Sequence, residues 1–288
     1  MSPTAAEHPL DAAVRTSLAG LARIPAPRAL FLLGTGAGLL PLRLENASRT
    51  SLAGVPGVPE AWRGVDLHAG KLGGLACWIL EDAPGPPDRG ALPAADEPAW
   101  VRGFPCWLAA QAGAAVLVHS SAGATLVERI PPESLALLSD HLNLSGRTPL
   151  LGLSASKLGP LFPDLMRFHH ADLRARALEI ARGIGLAAHE AVAAASPGPA
   201  LETPAERRFF ARAGADVVVQ GLEGTLLAGA HAGLAALAIV CVTDRGEGEV
   251  DLRQIVEAAE RIAPGLEDLL VRLAPEIARA ASDQEVEA

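Results

Sequence analysis

Ala29-Leu30-Phe31-Leu32-Leu33 runs directly into Gly34-Thr35-Gly36-Ala37-Gly38. Five apolar residues stopped by a glycine-rich turn are what a strand buried on both faces requires. Working outward, similar short apolar runs predict strands over Gly74–Leu80, Ala114–His119, Ala136–Asp140, Val217–Gln220 and Ala236–Thr243. Helical stretches fall between several of them, over Trp100–Gln111, Leu173–Arg182, Pro204–Ala213 and Thr225–Ala232. An opening helix is predicted within Ala5–Arg23, where Leu10, Val14, Leu18 and Leu21 form one stripe. Strands alternating with helices define an α/β fold, a single domain with a mixed, largely parallel twisted sheet flanked by helices.

At 288 residues the chain fits one large domain. Its core is expected over about residues 25–275, with a polar tail at 281–288 expected to fray. Ala83–Pro98 is rich in Pro, Gly and Asp without hydrophobic period, and reads as a long surface loop. Half the residues are hydrophobic and a fifth charged, so disorder is excluded. The net charge of −9, with no Lys/Arg-rich run, argues against nucleic acid as a partner. No apolar run approaches the ~20 residues that span a bilayer, and the N-terminus lacks a basic-then-apolar pattern. No membrane contact and a cytoplasmic location are therefore expected. Cys77, Cys106 and Cys241 are odd in number and set among apolar residues, as suits reduced buried thiols.

Leu201-Glu202-Thr203-Pro204-Ala205-Glu206 carries the clearest local signal. Thr203 and Glu206 form a T-x-x-E capping box, and Pro204 fits the first helical position, where its missing N–H costs nothing. Glu202 then sits just before a helix, in a connection of the kind that carries ligand-facing side chains in α/β proteins. Most glutamates in such loops simply meet water.

Several stretches, in order, resemble the trimeric purine nucleoside phosphorylases. They are Gly34-Thr35-Gly36-Ala37-Gly38, His68-Ala69-Gly70-Lys71-Leu72, Ser121-Ala122-Gly123, Leu138-Ser139-Asp140-His141-Leu142-Asn143-Leu144, Pro197 to Glu206, Gly214-Ala215-Asp216 and Val242-Thr243-Asp244. The resemblance implies that Glu202 holds the purine, as a carboxylate accepting from the ring N–H and amino groups does. Asp244 stands where the family usually has Asn. Ionised it accepts from an exocyclic amino group, and protonated it donates to the ring nitrogen that gains a proton as the base leaves, which favours adenine-type bases. A turn-capping role is the alternative for Asp244. Ser121, Ala122, Leu201, Gln220, Gly221 and Thr243 complete the implied substrate-binding set, with Thr35 toward phosphate. His119, beside the implied sugar region, is either a proton carrier or a buried structural histidine.

The phosphate side departs from the family pattern. Where an R-x-H pair should lie, the chain has Glu81-Asp82-Ala83-Pro84-Gly85-Pro86-Pro87-Asp88, and Gly221 replaces a Ser. Arg89, in the Ala83–Pro98 loop, and Lys71, after His68, are the possible substitute cations, though each reads more readily as a solvated surface cation. His141 reads as architectural, and the consecutive His169 and His170 point apart on any regular element, so no metal is expected. Three readings stay open: a phosphorylase using orthophosphate as co-substrate with no cofactor, a phosphate-independent nucleosidase, and a non-catalytic purine-binding relative. A purine nucleoside or base is the expected partner, purine salvage the expected setting and a homotrimer the expected assembly.

Overall fold

The computed structural model describes residues 6–34, 37–82, 97–245 and 252–287. Its strands are β1 (Ala29–Leu33), β2 (Glu45–Ser51), β3 (Asp66–Leu72), β4 (Leu75–Glu81), β5 (Val116–Thr125), β6 (Ser134–Asn143), β7 (Ala188–Ser196), β8 (Val217–Gln220) and β9 (Ala235–Asp244). The helices are α1 (Pro9–Gly20), α2 (Phe104–Ala112), α3 (Ala171–Gly183), α4 (Pro204–Arg212), α5 (Leu222–His231) and α6 (Leu252–Glu287). One sheet runs β2-β3-β4-β1-β5-β8-β7-β6-β9, and β5 also pairs with β9, so its second half closes on itself. The pairings of β1 with β4 and β5, β5 with β9, and β7 with β6 and β8 are parallel; the rest are antiparallel. The sheet is mixed, as expected.

β5 is the branch point. Along one edge it pairs with β1 from Val116 to Ser120 and with β8 only from Ala124 onward, while its other edge pairs with β9 throughout. Ser121, Ala122 and Gly123 therefore lie where β1 and β8 part, the kind of strand divergence at which α/β sheets open a ligand crevice.

Alternation along the strands builds two cores. Leu30, Leu32 and Leu117 face the layer of α1 and α2, with Leu10, Trp62, Phe104, Trp107 and Leu226. Phe31, Leu33, Val116 and Val118 face α3 and α6, with Leu173, Ile262, Leu266, Leu269 and Leu273. Burial on both faces explains why the strands read as continuous apolar runs. The three cysteines are free and buried, and burial pushes the Cys77 and Cys241 thiols up to about 12.

Two expectations are corrected here. The polar tail does not fray as an irregular end: α6 continues to Glu287, tied to the body by Arg28 donating to Ser282 Oγ at 3.1 Å. Ala, Gln and Glu are good helix formers, so a polar composition does not by itself end a helix. Lys71, taken as a substitute cation, pairs in register with Ala76 at the start of β4, at the far end of that strand from Asp82. The loop Ala83–Pro98, with Arg89, lies outside the described residues up to position 96.

The turn Ala99–Gly103 ahead of α2 approaches α5 closely. A Cβ on Gly103 would collide with Ala228 and lie 2.9 Å from the Gly224 carbonyl. Gly103→Ala is expected to destabilise the fold by about 1–3 kcal/mol in urea unfolding. Gly54→Ala, in open space, is expected to stay within about 0.5 kcal/mol.

Candidate active site

The β5 fork gathers polar side chains that a hydrophobic core would otherwise exclude. Asp82 follows β4, and its N–H bonds to Leu33 O at 2.7 Å, which fixes it at the end of β1. Its carboxylate accepts from Arg102 Nη1 at 2.5 Å, contacts His119 Nε2 at 3.0 Å and lies 3.4 Å from Thr225 Oγ1. The Asp82, Arg102 and His119 side chains are 6%, 12% and 2% exposed, so this is an interior network. Burial alone would push the Asp82 carboxyl up, but Arg102 and His119 outweigh it and hold the group well below the usual carboxylate range. With Asp82 ionised, His119 donates its Nε2–H to the carboxylate, and its buried Nδ1 has no partner among the described residues.

Unsatisfied groups surround the network. Arg102 Nε, Ser120 Oγ, Ser121 Oγ and Glu223 Oε2 are all buried without a partner among the described residues. Burial raises the Glu223 carboxyl, partly offset by the N-terminal backbone of α5 and by Arg102 and Arg147. Buried polar atoms left unpaired are costly, and they concentrate where a ligand or water completes the set.

A second group of polar side chains, around Glu202, is assembled from three connections. Ser196 ends β7, and its Oγ donates to Glu202 Oε1 at 2.6 Å. Arg207 Nη1 lies 3.7 Å from Glu202 Oε2, and Arg207 Nη2 donates to the carbonyls of Thr125 and Arg245. Arg207 thus ties the Glu202 loop to the ends of β5 and β9. The Glu202 side chain is only 6% exposed, so it is not the solvated loop glutamate that its position alone suggests. The capping box forms as read, with Thr203 accepting from Glu206 N and Glu206 accepting from Thr203 N.

Gln220 ends β8 in register with Ser196 and donates to Ala200 O at 3.0 Å, while Gly221 N bonds to Ser196 O. Gly221 adopts φ 68° as α5 begins, a conformation glycine takes without strain. On β9, Thr243 Oγ1 lies 3.2 Å from Gly123 O and 3.0 Å from Asp244 Oδ2, which places Asp244 beside Ala124 of β5. Ser121, Ala122, Glu202, Gln220, Gly221, Thr243 and Asp244 are therefore linked through neighbouring strands. Leu201 is on the same loop but largely exposed. Thr35 lies outside the described residues.

His119 is drawn into the Asp82 network, two residues before Ser121. Asp82, Arg102, Thr225, Ser196 and Arg207 were not singled out by the sequence reading. For Arg102 a signal existed: a lone charge inside Ala99-Trp100-Val101-Arg102-Gly103-Phe104 marks a buried, paired cation.

Removing one member of a buried ion pair strands the other. Asp82→Asn is expected to cost about 3–5 kcal/mol at pH 7, measured by urea unfolding. Because the folded-state pKa of Asp82 is depressed, its contribution is complete above the unfolded value and is lost as pH falls. The gap between wild type and Asp82→Asn is thus expected to be flat from neutral pH to about 5 and to shrink below about pH 4.

Comparison with known proteins matches this arrangement to one family. The phosphorylase superfamily profile matches residues 29–275. Purine nucleoside phosphorylase 1 of Geobacillus stearothermophilus is 30% identical over 241 residues, covering 82% of this chain and 86% of its own length. The Bacillus subtilis purine nucleoside phosphorylase 1 is 27% identical over 244 residues, covering 83% and 88%. Among solved structures, isoform 2 of purine nucleoside phosphorylase from Schistosoma mansoni, in complex with cytosine and ribose-1-phosphate, superposes with a TM-score of 0.82 at 21% identity, covering 91% of this chain and 95% of that one. The chain belongs to the phosphorylase superfamily and is related to its purine nucleoside phosphorylases.

Proposed function

We propose that the protein is a purine nucleoside phosphorylase-like glycosyltransferase that cleaves the N-glycosidic bond of a purine nucleoside, with orthophosphate as acceptor. The observation that carries this reading is the Glu202 carboxylate, buried at the β5 fork and oriented by Ser196 and Arg207. A carboxylate has about four acceptor positions, so two protein partners leave capacity for a purine N–H and amino group. In the reaction the C–N bond breaks as a phosphate oxygen attacks the anomeric carbon. The bonding pair passes to the purine, which takes up a proton. Glu202 anchors the departing ring and Asp244, when protonated, supplies that proton; Ser121 and His119 line the sugar. Catalysis on this scheme is positioning plus electrostatic stabilisation.

One observation favours a second reading, hydrolysis with water as nucleophile. Arg102, the buried cation beside the fork, is already neutralised by Asp82, and that carboxylate would repel a phosphate dianion. His119, whose buried Nδ1 has no partner among the described residues, is the candidate base for such a reaction.

Base release from adenosine, inosine, guanosine and methylthioadenosine, with and without orthophosphate, separates the readings. Phosphate-dependent turnover yielding a sugar 1-phosphate is the expected result. Phosphate-independent turnover makes hydrolysis the function, and purine binding without turnover makes the protein a binder. Asp244→Asn is expected to shift the kcat/KM ratio of inosine to adenosine upward by at least about tenfold, and an unchanged ratio would remove Asp244 from base recognition.

A homotrimer is part of the same proposal. Leu161, Phe162, Leu165 and Met166 form an apolar stretch ahead of α3, with Phe162 86% and Met166 90% exposed. Side chains this apolar and this exposed mark a surface for another copy. Light scattering is expected to give three chains per particle, and Phe162→Asp is expected to lower that number.

A further inference from the structure

His169 does not act with its sequence neighbour. His170 turns to cap α3, its Nδ1 accepting from Leu173 N at 3.3 Å. His169 instead meets His141, with Nε2 2.9 Å from His141 Nδ1 and the rings edge-on at 65°. The Asp140 carboxylate joins them, and one ligand atom from each of the three lies within 4.8 Å of the others.

Backbone pairing holds the cluster from two sides. His141 and Asp140 are on β6 just past a register shift between Leu138 and Asp140, the kind of irregularity that re-aims side chains. His169 is bridged to Ala236 of β9, flanked by His170 N to Ala236 O and Ala236 N to Phe168 O, each 2.9 Å. The buried Phe168 ring packs edge-on against it. His169 Nδ1 is buried and unpartnered, so Nε2 is the nitrogen the fold commits to the cluster.

Two neutral imidazoles meeting in this way share a single proton, whereas a cation takes both lone pairs. Two imidazole nitrogens bound at about 2.1 Å to one ion stand about 3.0 Å apart in an octahedral shell and about 3.4 Å apart in a tetrahedral one, so a small rotation of the rings from the 2.9 Å contact admits an ion. Arg174, whose charge reaches His169, is itself paired with Glu190 at 2.7 Å. Asp140 is exposed and gives an ion a path from solvent.

We propose that Asp140, His141 and His169 bind one divalent first-row transition ion, of the zinc, cobalt or nickel kind that two imidazoles and one carboxylate suit, with water completing the shell. The ion clips β6 to the segment that enters α3, next to the exposed Phe162–Met166 stretch and away from the Asp82 network. It is independent of the proposed glycosidic chemistry.

The test uses untagged full-length protein stripped with chelator and titrated with Zn²⁺ by calorimetry and with Co²⁺ by its visible d–d absorption. One ion per chain is expected, with a rise in Tm of at least about 3 °C under saturating Zn²⁺. His169→Ala and His141→Gln, each checked for folding by circular dichroism, should weaken binding by at least about tenfold, while His68→Ala on β3 leaves it unchanged. His141→Gln is the fallback should His169→Ala fail to fold. Absence of saturable binding, or equal binding in a folded His141 or His169 variant, overturns the proposal.

Discussion

The buried Asp82–Arg102 ion pair is the constraint around which the rest of this site is arranged. A charge in an apolar interior is tolerated only with a partner and hydrogen bonds, and each member here supplies that for the other. Asp82 arrives from β4, Arg102 from the turn before α2, His119 from β5 and Thr225 from α5. Four elements are thereby held at one point, and the contact of Gly103 with α5 shows how tightly they converge. The consequence is electrostatic: the Arg102 charge is neutralised from within by Asp82.

The region around Glu202 neighbours a different feature, the parting of β1 and β8 along β5. Because β1 stops at Ser120 and β8 begins at Ala124, the intervening residues meet no strand on that edge. Arg207 ties the Glu202 loop to the ends of β5 and β9, through Glu202 and the carbonyls of Thr125 and Arg245. The two halves of the site thus have separate structural origins. One can change without the other, since a shared scaffold does not fix the chemistry of each part of a site.

What was legible in the sequence follows from where the information sits. β1 and β8 could be read to the residue because their apolar runs are short and bounded by turns. β7 escaped because Ala188–Ser196 is alanine-rich, and alanine favours helix until neighbouring strands override it. β2, Glu45-Asn46-Ala47-Ser48-Arg49-Thr50-Ser51, is a polar edge strand with no hydrophobic period. α6 is interrupted by Pro264 and Pro275, which ordinarily end a helix. At the site, Glu202 was findable through its capping box and family motif. The Asp82–Arg102 pair was not, because its members are 20 residues apart and only the fold brings them together. The His141–His169 pair was hidden for the same reason, while the adjacent His170 drew attention to the wrong partner.

The central claim is that the β5 fork holds a purine through Glu202. Calorimetric titration of adenine into the wild type and Glu202→Gln tests it without depending on turnover or on which nucleophile is used. Saturable binding to the wild type that weakens at least about tenfold in the variant is the predicted result. No binding to the folded wild type, or equal binding to both, would contradict it.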